Sequence, residues 1–404
     1  MEYLTPNQTI SHTDNESISL AVQRAKETGV NKVVIPRHNL RTGRDLWVIE
    51  DTVLLPDDIE ILVDDAHLVL ADGSFCNMFA NERLGTELGR TSEGEQRNIT
   101  LRGRGRALLD GGKYNGLSER TSRRDGRPHV SKNTTVFFVN VRNLLVENLR
   151  IVNQRWWGIT NIFVRDAVFR NISFCADLSR IDENGVHHPH ELPKNYEEIY
   201  VKNADGIDLR IGCHNIFIEN ISGFTEDDTV ALTALGEFER KEGFAVSGRD
   251  TDIHDVRIRN ISADAYVCSI VRLLCENGNK LYNVEVDGVT DLQKNDGYQS
   301  QYAVRIGDCH YGSSSSSMGD IHHISVRNVV SRARCAVGLC KTLRDSSVEN
   351  LTVLEGGKVG FGVYGLDRSP AQVDNCSVKN ILCTGTGSIP LAVEGLEGEL
   401  ATDI

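Results

Sequence analysis

Short runs in which apolar and polar residues alternate recur along this chain, each framed by Asn, Asp, Gly or His. Ile216-Phe217-Ile218 and Val256-Arg257-Ile258 are two of them. Alternation with a period of two is the mark of a strand with one buried face. The framing residues fall five apart, at Asn143/Asn148, Asp166/Asn171, Asn215/Asn220, Asp255/Asn260, Asn283/Gly288, His323/Asn328, Asp345/Asn350 and Asn375/Asn380. Asn and Gly accept the left-handed turn conformation, and stacked Asn side chains can form hydrogen-bonded ladders. Successive pairs advance by a unit of ~22–30 residues, lengthened in places by insertions. Chance is the competing explanation, since Asn is a common turn residue, but eight pairs at one internal offset argue against it. The pattern predicts an all-β chain folded as a right-handed parallel β-helix, a solenoid of stacked coils.

The start of the chain reads differently. Residues 15–28 carry Ile18, Leu20, Ala21 and Ala25 at nearly helical spacing, with Asn15 or Ser17 as the cap. Strand-like runs follow at Val33-Val34-Ile35, residues 52–55, 59–63 and 67–70. A helix in this place covers the open edge of the first coil. The expectation is one β-helix domain over 1–404, with 1–75 as cap and first coils and 98–395 as the main coils. Insertions stand at 75–97, 113–132, 177–200 and 236–252, and loops on a rigid scaffold are where function is carried. The second holds Arg120, Arg123, Arg124 and Arg127; the third holds His187, His188 and His190.

Two segments superimpose when shifted by 23 residues: Asn203 to Leu209 and Glu226 to Leu232. Asp205 then falls on Asp228, Ile207 on Val230 and Leu209 on Leu232. Parallel strands lie ~4.8 Å apart, so the shift predicts that Asp205 and Asp228 are neighbours, with Asp227 beside them. One protonated carboxyl and one ionised carboxylate in a cleft are the equipment for hydrolysing a glycoside. A solvated turn is the plainer explanation of three acids. Residues 227 and 228 serve together only if a bend precedes the strand, because neighbours on a strand face opposite ways. The same register puts Thr160, Asp208, Ala231, Arg272, Arg305 and Gly338 in one outward column. Two stacked arginines repel unless an anion or Asp208 relieves them. Trp157 and Tyr302 fall in the carboxylate column, as sugar-stacking platforms or as packing.

Composition narrows the classes. The 404 residues are 40% apolar and 25% charged, with a net charge of −13, which disfavours nucleic acid or an anionic membrane as a general partner. The first residues show no leader, no run is apolar enough to span a bilayer, and ten cysteines lie without paired CxxC spacing. These point to reduced thiols and a cytoplasmic location. Pro189 interrupts the histidine cluster and no ligand spacing accompanies it, so no metal or other cofactor is expected. His188 and His310 are assigned instead to substrate contact, and the expected partner is an oligosaccharide.

The order of motifs resembles the polygalacturonase family of glycoside hydrolases, pectin-lyase-like β-helices, over most of the chain. Gly103-Arg104-Gly105 with Asp110-Gly111-Gly112, then Arg127-Pro128, then Gln154-Arg155-Trp156-Trp157-Gly158-Ile159 follow the family's order. Asn203-Ala204-Asp205 matches its Asn-Thr-Asp motif, Asp227-Asp228 its Asp-Asp motif, and Arg305-Ile306 part of its Arg-Ile-Lys motif, with Gly307 at the lysine position. The Gly-His-Gly motif falls on Cys268-Ser269-Ile270, where no histidine stands. The resemblance implies that Asp227 is the general acid, that Asp205 and Asp228 position the water, and that the product is inverted. It leads to an expectation of an exo-acting hydrolase of intracellular, pectin-derived, uronate-containing oligosaccharides, with Arg305 and Arg272 holding the sugar carboxylate. The alternatives are a lyase or epimerase using Arg272 or Arg305 as base, a glycosidase for a neutral sugar, and a non-catalytic β-helix.

Overall fold

A computed structural model describes residues 2–74, 76–112, 132, 134–154, 156–176, 204–266, 268–291, 299–308, 315–365 and 369–404, and the backbone alone at 180–181 and 187–188. The chain is a parallel β-helix, as the repeat predicts. It divides into two compact units, Met1–Asp205 and Gly206–Ile404.

Near the start of the first unit runs the helix Asp14–Thr28, which buries Ile18, Ala21, Val22 and Ala25. That is the spacing of one helical face; Leu20, expected with them, is off that face and exposed. The cap is neither Asn15 nor Ser17 but Thr13, whose hydroxyl accepts from the Glu16 N–H at 3.2 Å. A cap must stand ahead of the first turn to reach its free N–H groups, and Asn15 and Ser17 lie inside the helix. Left-handed Gly29, at φ 70°, ends it. The helix packs on the strands Lys32–Pro36, Trp47–Ile49 and Val53–Leu55. Buried Asp14 fastens it there, accepting from Asn39 Nδ2 at 2.7 Å, Arg41 Nε at 2.7 Å and the Val48 N–H at 2.8 Å. Beyond it, Val33, Ile61, Leu101, Val146 and Phe169 stack in register as one fully buried column.

The second unit repeats the device. Ile218, Ile258, Val286, Val326, Val348 and Val378 stack coil on coil, all buried. Each such side chain is worth ~1.5–3 kcal/mol relative to exposure, so the interior column supplies much of the driving force. Both members of every polar pair read from the sequence are left-handed, with φ between 46° and 82°. Their side chains form ladders: Asn143 donates to Asn98 at 2.6 Å and Asn171 to Asn148 at 2.9 Å in the first unit. In the second, Asn260 donates to Asn220 at 3.2 Å, Asn350 to Asn328 at 3.2 Å and Asn380 to Asn350 at 3.1 Å. Where Gly288 interrupts the row, Asn328 turns to Asp287 Oδ1 at 2.7 Å. None of the described cysteines is in a disulfide. Among the described residues no helix is long and apolar enough to cross a membrane.

Candidate active site

Four stacked strands of the second unit build the site: Val230–Ala234, Ser269–Cys275, Tyr302–Ile306 and Cys335–Leu339. Val230, Val271, Val304 and Val337 are in register and fully buried. The residues between them face the other way. Asp208, Ala231, Arg272, Arg305 and Gly338 share one register position, which is the column the sequence predicts for this unit. Thr160 belongs to the first unit and is buried there.

Arg272 and Arg305 are therefore stacked like charges. Arg272 is 5% exposed. Its Nη1 donates to Asp228 Oδ2 at 3.0 Å, and its Nη2 donates to Asp308 Oδ2. The other oxygen of Asp308 accepts from Arg305 Nη2 at 2.7 Å. The relieving anions are thus Asp228 and Asp308, where the sequence offered Asp208. Asp208 lies three coils from Arg305 with Ala231 and Arg272 between, whereas Asp308 sits just past the end of Arg305's own strand and is reached by a turn through Gly307, at φ 76°. Burial pulls the Arg305 guanidinium down, but Asp308 more than offsets this and holds it above its ordinary value.

The chain bends over residues 226–227, just before Val230 begins its strand. This is the bend that lets both acids serve. Thr225 Oγ1 donates to the Asp227 carbonyl at 2.8 Å and lies 2.9 Å from Thr229 Oγ1, which braces the turn. Asp228 is buried, and both its oxygens are engaged: Oδ1 accepts the Ser269 N–H at 2.9 Å and Oδ2 accepts from Arg272. Asp227 is half-buried. Beside it stands Cys268, on the coil where the resemblance seeks a histidine. Burial, then the charges of Asp227 and Asp228, push the Cys268 thiol well above its usual range, so it is a neutral S–H bonded to Asp227. Ligand-type atoms of Asp227, Asp228 and Cys268 lie within 4.8 Å of one another. A cation there would compete with the Arg272 guanidinium already on Asp228, so the set is poorly suited to a metal.

The other predicted residues divide. Asp205 opens the strand Asp205–Leu209 and is buried; its N–H donates to the Trp156 carbonyl at 2.8 Å. The rest of that strand follows the predicted shift, pairing Ile207 with Val230 and Leu209 with Leu232. Trp157 is 8% exposed, its ring edge-on to Trp156 at 5.9 Å. It is a packing residue, because a sugar platform needs an open ring face. Tyr302 is half-buried under Arg305, whose guanidinium carbon is 5.1 Å from the ring centre. On its coil-ward side the ring lies over Gly338, where a Cβ would come within 2.4 Å of it. Tyr302 too is occupied by packing. Gly307 has a physical reason to differ from lysine: a Cβ there would stand 3.1 Å from the Lys341 nitrogen, at a left-handed φ. His310 lies outside the described residues, and for His188 only the backbone lies within them. The 113–132 and 177–200 insertions fall almost wholly outside them as well. The 236–252 insertion is docked by Arg210 Nε on buried Glu239 Oε1 at 2.7 Å. Sequence reasoning missed Asp308 and Cys268, although two arginines in register were already a signal that a further anion had to be near.

No family model matches the chain, and no curated protein matches its sequence. Solved structures do share its fold. The polygalacturonase of Erwinia carotovora ssp. carotovora superposes with a TM-score of 0.61 at 14% identity, covering 96% of this chain and 94% of its own. The hyperthermoactive exopolygalacturonase of Thermotoga maritima gives 0.58 at 14%, covering 99% and 91%. The A-module of the Azotobacter vinelandii mannuronan C-5 epimerase AlgE6 gives 0.52 at 11%, covering 99% and 99%. At such identities the likeness is one of architecture, and by that measure the chain has the polygalacturonase-like, pectin-lyase-like parallel β-helix fold.

Proposed function

We propose that the protein is a glycoside hydrolase in which Asp227 donates a proton to the leaving oxygen and Asp228 orients the attacking water. The observation that carries this is the contrast between two adjacent carboxylates. Asp228 is buried and held by a guanidinium and a backbone N–H; Asp227 is half-buried beside a neutral thiol. Unlike surroundings are how one carboxyl is kept for acid work and its neighbour for charge. A carboxylate oxygen has two lone pairs, so Asp228 can hold Arg272 and still accept from a water. Asp205 takes a second water-orienting role on its sequence motif alone.

The stereochemical outcome is inversion in this proposal. The 4.8 Å limit between acid atoms is shorter than the ~6.5–9.5 Å usual for inverting pairs and by itself would suggest retention. The engagement of both Asp228 oxygens argues against a free nucleophile and supports water attack. A lyase or epimerase needs an arginine free to take a proton, and Arg272 and Arg305 are both ion-paired. The test is turnover of a panel of oligosaccharides with the first-formed anomer read by NMR. Asp227→Asn is expected to lose ~10²-fold or more in rate with an unchanged melting temperature. Near-normal turnover by that variant would remove Asp227 from the chemistry.

A further inference from the structure

The arginine pair already holds a carboxylate. Asp308 is 4% exposed and places one oxygen on each guanidinium, on Arg272 and on Arg305. Asp228 takes the second amino group of Arg272. Two cations and two anions close the account of charge among these four residues. Arg305 itself is half-buried: its Nε is sealed from solvent, and the guanidinium lies against Tyr302. A sugar carboxylate arriving here would have to displace Asp308 from both arginines and leave a buried acid unpaired, a change that buried ion pairs resist strongly. Gly307 adds no cation of its own, and a side chain there would crowd Lys341, at 3.1 Å from its nitrogen, on a left-handed backbone.

We propose that Asp308 is a specificity-determining residue: it fills the carboxylate position of the Arg272–Arg305 pair from within, so that the sugar bound beside Asp227 is a neutral glycosyl residue and not a uronate. This rests on the hydrolase reading for its substrate, but not for its geometry. Removing Asp308 converts the same pair into an anion site, since two guanidinium groups in register, one already offset by Asp228, can share an external carboxylate.

The experiment has two arms. In the first, wild type and Asp308→Ala are melted in increasing sodium formate against sodium chloride of equal ionic strength. Formate is expected to raise the melting temperature of Asp308→Ala saturably and to leave wild type on the chloride curve. Should Asp308→Ala not fold, Asp308→Ser, which also vacates the carboxylate position, is read in the same way. A folded variant that formate does not stabilise beyond chloride overturns the proposal. In the second arm, wild type is offered paired oligosaccharides that differ only in whether the C6 of the cleaved residue is a hydroxymethyl or a carboxylate. A preference for the neutral member of about 10- to 100-fold, the worth of a charged bond not made, is expected. A preference for the uronate that Arg305→Ala abolishes overturns it. If neither member is turned over, the hydrolase reading has failed, and the formate arm still decides the role of Asp308.

Discussion

Two rows of charge in the second unit solve one problem in opposite surroundings. On its outer face, Glu219, Arg259, Asp287, Arg327, Glu349, Lys379 and Asp403 stand in register through seven strands, and every step changes sign. None of them is buried. In the site column, two arginines are stacked without an intervening acid, and all but the edge of the cluster is out of water. A parallel coil forces each side chain to lie ~4.8 Å above its counterpart. In water, alternation of sign is enough, and mistakes are screened. In the dry column, the repeat could not supply the anions, and they came from strand ends: Asp228 from the bend before one strand, Asp308 from the turn after another. The outer ladder is made by register alone, and the inner cluster is made by irregularities that the register carries into place.

This contrast can be broken at several points, from the greatest effect down. Arg272→Ala leaves Asp228 and Asp308 short of a buried partner and should destabilise the protein by ~3–5 kcal/mol, read from the urea midpoint. A change no larger than that of a ladder variant would show that the cluster is wetter than its burial implies. Gly338→Ala puts a methyl into the Tyr302 ring. The expected loss is ~1–3 kcal/mol by overpacking, most of it recovered in Gly338→Ala/Tyr302→Leu. Recovery by the second change is the check that the ring, and not the backbone, is the obstacle.

On the ladder the effects are small. Arg327→Gln, which removes the 2.9 Å pair with Asp287, should cost only ~0.2–1 kcal/mol at neutral pH. Its signature lies in acid. Burial raises Asp287, but bonds from Arg327 and Asn328 more than reverse this, and the acid titrates below the ordinary value of 3.8. A depressed folded value stabilises fully above the unfolded value and is lost as pH falls through the folded one. Melting temperature should therefore drop less steeply below about pH 4 in Arg327→Gln than in wild type. Parallel curves for the two proteins would mean that the pair is merely positional.

Much of this was legible in the chain. Polar pairs such as Asn143/Asn148 and Asn375/Asn380 gave the coil, because only a few residue types take a left-handed turn and the fold needs one at each corner. The register of Arg272 on Arg305 and of Ile207 on Val230 followed from the same counting. Chain-local chemistry also required a bend before the strand if Asp227 and Asp228 were to serve together, since two adjacent residues cannot face one way on a strand, and the chain bends over 226–227.

Tertiary structure decided the rest. Thr13 caps the first helix, where Asn15 and Ser17 were as plausible from composition, because the helix boundary is set by packing on the first strands. Trp157 and Tyr302 were open platforms or packing by sequence, and burial made them packing. Above all, periodicity reports which residues stack, not how far a side chain at a strand end swings across them. The sequence by itself determined that this protein is a coil in which Asp208, Arg272 and Arg305 share one column. That Asp308 joins the arginines, and that Cys268 lies on Asp227, depends on turn paths no alternation encodes, because the energy that selects them is the desolvation of charges brought together only after the coils have closed.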